Sequence, residues 1–97
     1  MQKTNNFDCL ITAAELLDRL DDNAFRIFDC RFSLFDKEKG HTAYLDGHIP
    51  GASYVHLEND LSGPITSRTG RHPIPKIDTF IERLRALGVE HRSRIVI

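Results

Sequence analysis

Two cysteines, five histidines and one basic loop are the groups in this 97-residue chain best suited to chemistry. A thiol becomes a nucleophile only as thiolate, which needs backbone N–H groups, a helix N-terminus or nearby cations, together with access to substrate. Cys30 meets part of that description. It adjoins Arg31 at the carboxyl end of a predicted strand, Phe25-Arg26-Ile27-Phe28-Asp29-Cys30, and in open α/β sheets ligands bind outside that end of the strands. Alternation along the same strand can instead turn the thiol into the core, where free cysteine is common. Cys9 precedes the first helix, and nothing beside it in sequence would activate it.

Among the histidines, His48 stands inside a tight turn where hydrogen bonding is the ordinary use of the ring. His56 follows that turn and alternates with Tyr54, which places it toward solvent. His72 lies beside Arg71 and close to Arg68. Ser67, Arg68, Thr69, Arg71 and His72 together offer hydroxyls and guanidinium groups suited to sulfate-like or phosphate-like oxygens. The same residues also make an ordinary solvated loop. His41 and His91 carry no signal. The sequence has no phosphate-binding glycine loop, no paired-carboxylate pattern, no Gly-x-Ser-x-Gly and no zinc-site spacing. No metal or cofactor is expected.

The elements that must position these groups are arranged around Asp46-Gly47-His48-Ile49-Pro50-Gly51-Ala52. Gly47 and Gly51 permit positive φ or close backbone approach, while Pro50 fixes its own φ and biases Ile49 toward extended backbone. Upstream, Thr12 and Glu15 form a capping box, with Ile11 and Leu16 as a hydrophobic staple, opening a helix over 12–20 with Leu16, Leu17 and Leu20 on one face. Ser33 to Gly40 reads as a polar loop whose charge run, Asp36-Lys37-Glu38-Lys39, is solvated. His41 to Leu45 reads as a short helix and 53–56 as a strand. Leu57 to Pro75 is a long irregular segment stiffened by Pro73 and Pro75. Ile77, Phe80, Ile81, Leu84 and Leu87 then repeat at helical spacing up to Gly88. Arg94-Ile95-Val96-Ile97 opens a further strand, and the sequence stops inside it, as a domain cut short would.

The order of helices and strands predicts an α/β fold with an open, mainly parallel sheet, helices on both faces, truncated within the sheet. Residues 1–8 read as a loose lead-in and 9–97 as one partial domain. Apolar and charged fractions of 40% and 28% are those of an ordinary soluble chain. A net charge of -1 gives no reason to expect nucleic acid or an anionic membrane as partner. No apolar run is long enough to span a bilayer, and Met1-Gln2-Lys3-Thr4-Asn5-Asn6 is not a signal peptide. Two cysteines build no disulfide framework, so a reducing cytoplasm is the default.

The motifs taken together resemble the rhodanese (sulfurtransferase) family. The resemblance rests on the capped first helix, Ile27-Phe28-Asp29-Cys30-Arg31, the Gly-His-Ile-Pro-Gly-Ala turn at 47–52, and Leu87-Gly88-Val89 leading into Arg94-Ile95-Val96-Ile97. Gly70-Arg71-His72-Pro73-Ile74-Pro75 resembles the N-terminal domain of the tandem thiosulfate and 3-mercaptopyruvate sulfurtransferases. The likeness covers about residues 9 to 97.

This resemblance implies transfer of sulfane sulfur from thiosulfate or 3-mercaptopyruvate to a thiol or cyanide, through a cysteine persulfide. It places that cysteine in a loop after the strand that Arg94 to Ile97 matches, on a C-terminal domain that is then this chain's partner. Glu58 and His72 match positions that point toward the cysteine site, although the family commonly has aspartate at the place of Glu58. By the same resemblance Cys30, outside any cradle of backbone N–H groups, should keep a pKa near that of free cysteine, about 8.5. Two other readings stand beside it: a regulatory module that holds an anion or partner through Arg68, Arg71 and His72, and a self-sufficient enzyme acting through Cys30.

Overall fold

The computed structural model describes residues 9–97; the lead-in expected at 1–8 lies outside them. Three strands form one parallel sheet. β1 (Phe25–Asp29) is central, with β2 (Ser53–Tyr54) on one side and β3 (Arg94–Val96) on the other. The register pairs Phe28 with Ser53 and Asp29 with Tyr54, and Phe25, Arg26 and Ile27 with Arg94, Ile95 and Val96. α1 (Ala13–Leu17) precedes the sheet, α2 (Lys39–Asp46) links β1 to β2, and α3 (Ile77–Ala86) links β2 to β3. With this strand order, right-handed crossovers carry α2 and α3 over opposite faces.

The local signals explain where elements start. Thr12 is extended and caps α1: its Oγ1 accepts from the Glu15 N–H at 3.0 Å, and the Glu15 carboxylate accepts from the Thr12 N–H at 2.9 Å. The helix is shorter than expected. Beyond Leu17 the chain tightens into i→i+3 bonds, Arg19 N–H to the Leu16 carbonyl and Leu20 N–H to the Leu17 carbonyl, and the α pattern stops. Leu16 is buried, but Leu17, expected on the same face, is 69% exposed.

α2 begins at Lys39, so Lys39 and Gly40 belong to a helix and not to the expected loop. Gly40 is buried because a Cβ there would overlap the Arg31 carbonyl and crowd the Tyr54 hydroxyl. α3 ends in a Schellman motif, with Val89 N–H on the Leu84 carbonyl and Gly88 N–H on that of Arg85, around a left-handed Gly88 (φ 85°). Of its apolar stripe, Phe80, Leu84 and Leu87 are partly covered, while Ile77 and Ile81 are exposed.

β2 stops at Tyr54, short of the expected His56, because its ladder partner β1 ends at Asp29. One further bond, Val55 N–H to the Asp29 carbonyl at 2.9 Å, draws Val55 fully inside. The buried apolar side chains among the described residues are Leu16, Phe28, Ala52 and Val55. His56 is buried with them at 7% exposure, contrary to its expected place in solvent. It lies past the end of the ladder, where strand alternation no longer decides which way a side chain points.

Candidate functional site

The carboxyl end of β1 is tied to the glycine-proline turn by one arginine. Arg31 Nε and Nη2 donate to Asp29 Oδ1 and Oδ2 at 3.0 and 2.7 Å, and Nη2 also donates to the Gly47 carbonyl at 2.8 Å. The guanidinium hydrogen bonds hold the Asp29 carboxyl below the usual carboxylate range. The Arg31 carbonyl accepts from the Tyr54 hydroxyl at 2.8 Å. Arg31 is thus spent on architecture.

The turn has the pattern of type II. Ala52 N–H bonds the Ile49 carbonyl at 2.9 Å, with Pro50 first and Gly51 (φ 83°) second in the bend. Tyr44 is its post. The His48 ring stacks on the Tyr44 ring with centroids 3.7 Å apart, and His48 Nδ1 donates to the Tyr44 carbonyl at 2.7 Å. The Tyr44 hydroxyl donates to the Ala52 carbonyl at 2.6 Å. His48 therefore serves the turn through hydrogen bonding, as its position in sequence suggests.

Cys30 lines a mainly apolar cleft of about 1010 Å³ with Leu16, Phe28, His48, Ile49 and Ile97 among its walls. Burial pushes its thiol above the ordinary range, and the carboxylates of Asp29 and Asp60 push it further. The expectation of a value near free cysteine is corrected upward: burial acts first and the two carboxylates add to it, while the Arg31 guanidinium is paired with Asp29.

On the irregular segment the structure brings two distant residues together. His72 Nε2 donates to Glu58 Oε2 at 3.1 Å, and both side chains are 21% exposed. The other oxygen, Oε1, is 3.3 Å from Lys37 Nζ. Burial pushes the Glu58 carboxyl up, but the bonds from Lys37 and His72 outweigh it and leave the group below its usual range. The Phe32 ring meets both His56 and His72 edge to face, at 5.5 and 5.9 Å. Gly63 N–H bonds the Pro73 carbonyl at 2.8 Å, closing the loop at its base and setting His72 next to its partner.

Beneath this pair, His56 Nδ1 accepts from the N–H groups of Glu58 and Asn59, both at 3.1 Å, so the ring proton is on Nε2, which donates to the Lys37 carbonyl. Asp60 accepts from His56 N–H at 2.8 Å and from Arg83 Nε at 2.6 Å, tying the same turn to α3.

Chemically, a carboxylate on Nε2–H fixes the His72 tautomer and leaves Nδ1 able to take a proton from a group in front of it. Arg68 and Arg71 take no part in the pair. Both are exposed, and neither guanidinium has a bond among the described residues; Thr66 and Thr69 fold that stretch through their own hydroxyls. Among the described residues no group of three or more His, Cys, Asp or Glu could hold a metal ion. Sequence reasoning missed Lys37, placed in a solvated run, and Gly40, for which an isolated glycine within a helical stretch was the available signal.

The model of the rhodanese-like domain matches residues 12–97. This chain belongs to the rhodanese-like family. It is 40% identical over 89 residues to a protein of Pseudomonas aeruginosa named as a 3-mercaptopyruvate sulfurtransferase, covering 91% of this chain and 31% of that protein. The identity and coverage are the same for a protein of Mycobacterium tuberculosis named as a thiosulfate sulfurtransferase, SseB. Among solved structures, the 3-mercaptopyruvate sulfurtransferase from Leishmania major superposes with a TM-score of 0.78 at 30% identity, over 88% of this chain and 23% of that one. The rhodanese-like chain thus spans about a third of the length of the curated relatives it matches. No helix of its described residues is long and apolar enough to cross a membrane.

Proposed function

We propose that this rhodanese-like chain is the N-terminal, non-catalytic part of a tandem sulfurtransferase that moves sulfane sulfur from thiosulfate or 3-mercaptopyruvate to a thiol or cyanide. The observation that carries this reading is the state of Cys30. Its half-buried thiol sits beside Asp29 and Asp60 and is pushed up, the opposite of what a persulfide-forming cysteine needs. The Glu58–His72 pair is instead ready to serve a cysteine presented from outside. In this reading the partner is a C-terminal rhodanese domain carrying the nucleophile, the ligand is a small sulfur-donor anion, and the setting is the cytoplasm.

The test is thiocyanate formation from thiosulfate and cyanide by the purified chain, beside a Cys30→Ser variant. Background rates in both are expected; clear turnover lost in the variant would overturn the reading. In a two-domain polypeptide, His72→Ala should lower turnover with melting nearly unchanged, and equal loss of both would mark His72 as structural. The exposed, unpaired guanidinium groups of Arg68 and Arg71 favour a second reading, an anion- or partner-binding module. Sulfate-dependent stabilisation that vanishes in Arg68→Ala/Arg71→Ala would support it.

A further inference from the structure

Glu58 stands on an irregular turn, where no regular element fixes a glutamate with three rotatable bonds. Two residues supply what the backbone does not. The buried His56 ring is fully engaged: Nδ1 takes the N–H groups of Glu58 and Asn59 at 3.1 Å each, and Nε2–H bonds the Lys37 carbonyl at 3.1 Å. Lys37 then reaches back across the same gap, with Nζ 3.3 Å from Glu58 Oε1. Backbone and side chain of Lys37, the His56 ring and Glu58 so form a closed circuit, and Oε2 is left for His72.

We propose that His56 and Lys37 are positioning residues that lock the Glu58 carboxylate onto His72 Nε2 and so hold His72 in the tautomer with a bare Nδ1. Its meaning for turnover rests on the sulfur-transfer reading above; the placement itself does not. Lys37 is 67% exposed, and an ion pair in that setting adds little stability, so its effect is on where the carboxylate points. A glutamate reaches further than an aspartate and has one more torsion to fix, which gives the second clamp its purpose.

The experiment is long-range 1H–15N correlation of the histidine rings in the 97-residue chain, which shows the nitrogen that bears the proton, with hydrogen exchange of the Glu58 and Asn59 amides. The native protein should show neutral His72 as the Nε2–H form and both amides protected. His56→Gln puts its carboxamide near the Nε2 site and leaves those amides without an acceptor. Their exchange should rise roughly tenfold or more, with His72 spread over both tautomers. His56→Asn puts a carbonyl oxygen near the Nδ1 site and should keep both native features. Lys37→Met, on an exposed side chain, should mix the tautomers, and Lys37→Arg should restore the single form.

A native-like His72 in His56→Gln or Lys37→Met would overturn the proposal, as would a native Nδ1–H ring. If His56→Gln does not fold, the Lys37 variants decide alone. None of these readouts involves turnover. Undiminished activity of a two-domain His72→Ala protein would remove the sulfur-transfer role and leave the positioning intact.

Discussion

At the scale of single residues, two glycines four positions apart do different work. Gly51 has φ 83° and Gly47 has φ 177°, which any residue adopts, with nothing within 4 Å of a Cβ placed on Gly47. Gly51→Val should therefore lower stability by about 1–3 kcal/mol, the scale of a side chain forced into a disfavoured region. Gly47→Ala should leave the melting temperature nearly unchanged, and equal losses in the two would remove this account. The sequence marked both glycines as special and could not separate them, because the difference lies in which one occupies the second position of the bend. His56 was misread for a related reason: its surroundings come from Lys37 and the 58–60 turn, neither of which alternation along a strand can see. Glu58 carries a pH signature. Its folded carboxyl is held below the unfolded value, about 4.3, so its contribution to stability is full above that value and is lost as pH falls through the lower folded one. Glu58→Gln should lose stability at neutral pH and flatten the acid limb of a melting profile taken from pH 7 downward. A parallel profile would mean that the pairs with Lys37 and His72 contribute nothing.

At the scale of elements, starts were legible and extents were not. The Thr12–Glu15 capping box is local chemistry, and both of its bonds form. α1 is only five residues long, too short to persist on propensity, so it depends on that cap and on Leu16 beneath it. Thr12→Ala should cost about 0.5–2 kcal/mol, while Thr12→Ser, which keeps the capping hydroxyl, should leave stability nearly unchanged. Loss in circular dichroism and melting temperature by the alanine variant alone is the expected result; identical curves for both would show that packing of Leu16 holds the helix without its cap. Extents depend on partners. β2 is two residues because β1 ends opposite it, and α2 starts early because a buried glycine lets it approach the Arg31 carbonyl. Family resemblance picked out Glu58 and His72 singly as residues turned toward a cysteine site; their bond to each other, across fourteen residues, is set by the strap from Gly63 to Pro73. Nothing in local sequence states that closure.

At the scale of the whole molecule, the apolar interior is small for what the chain leaves outside. Leu16, Phe28, Ala52 and Val55 are buried, while Leu10, Phe35, Ile74 and Ile97 are almost fully exposed. Among the described residues the sheet has three strands, and β3 lies at its edge with Ile95 and Ile97 open to solvent. The cleft lined by Leu16, Phe28, Val96 and Ile97 adds apolar surface beside that same edge. An exposed apolar strand with free backbone groups on one side is a template for pairing with another copy. Contiguous apolar surface of this kind favours association at roughly μM–mM concentrations. The purified chain should therefore sediment as larger species as concentration rises, and it should bind a hydrophobic dye in the folded state. Ile95→Lys tests the edge directly, since a charge on an edge strand opposes sheet extension while the residue is already 44% exposed and contributes little to the interior. Association should fall in that variant with the melting temperature held. Unchanged association in Ile95→Lys, with relief in an Ile97→Lys variant, would move the sticky surface from the strand edge to the cleft. A chain that stays monomeric and dye-free across the whole range would show that these apolar side chains are covered in solution.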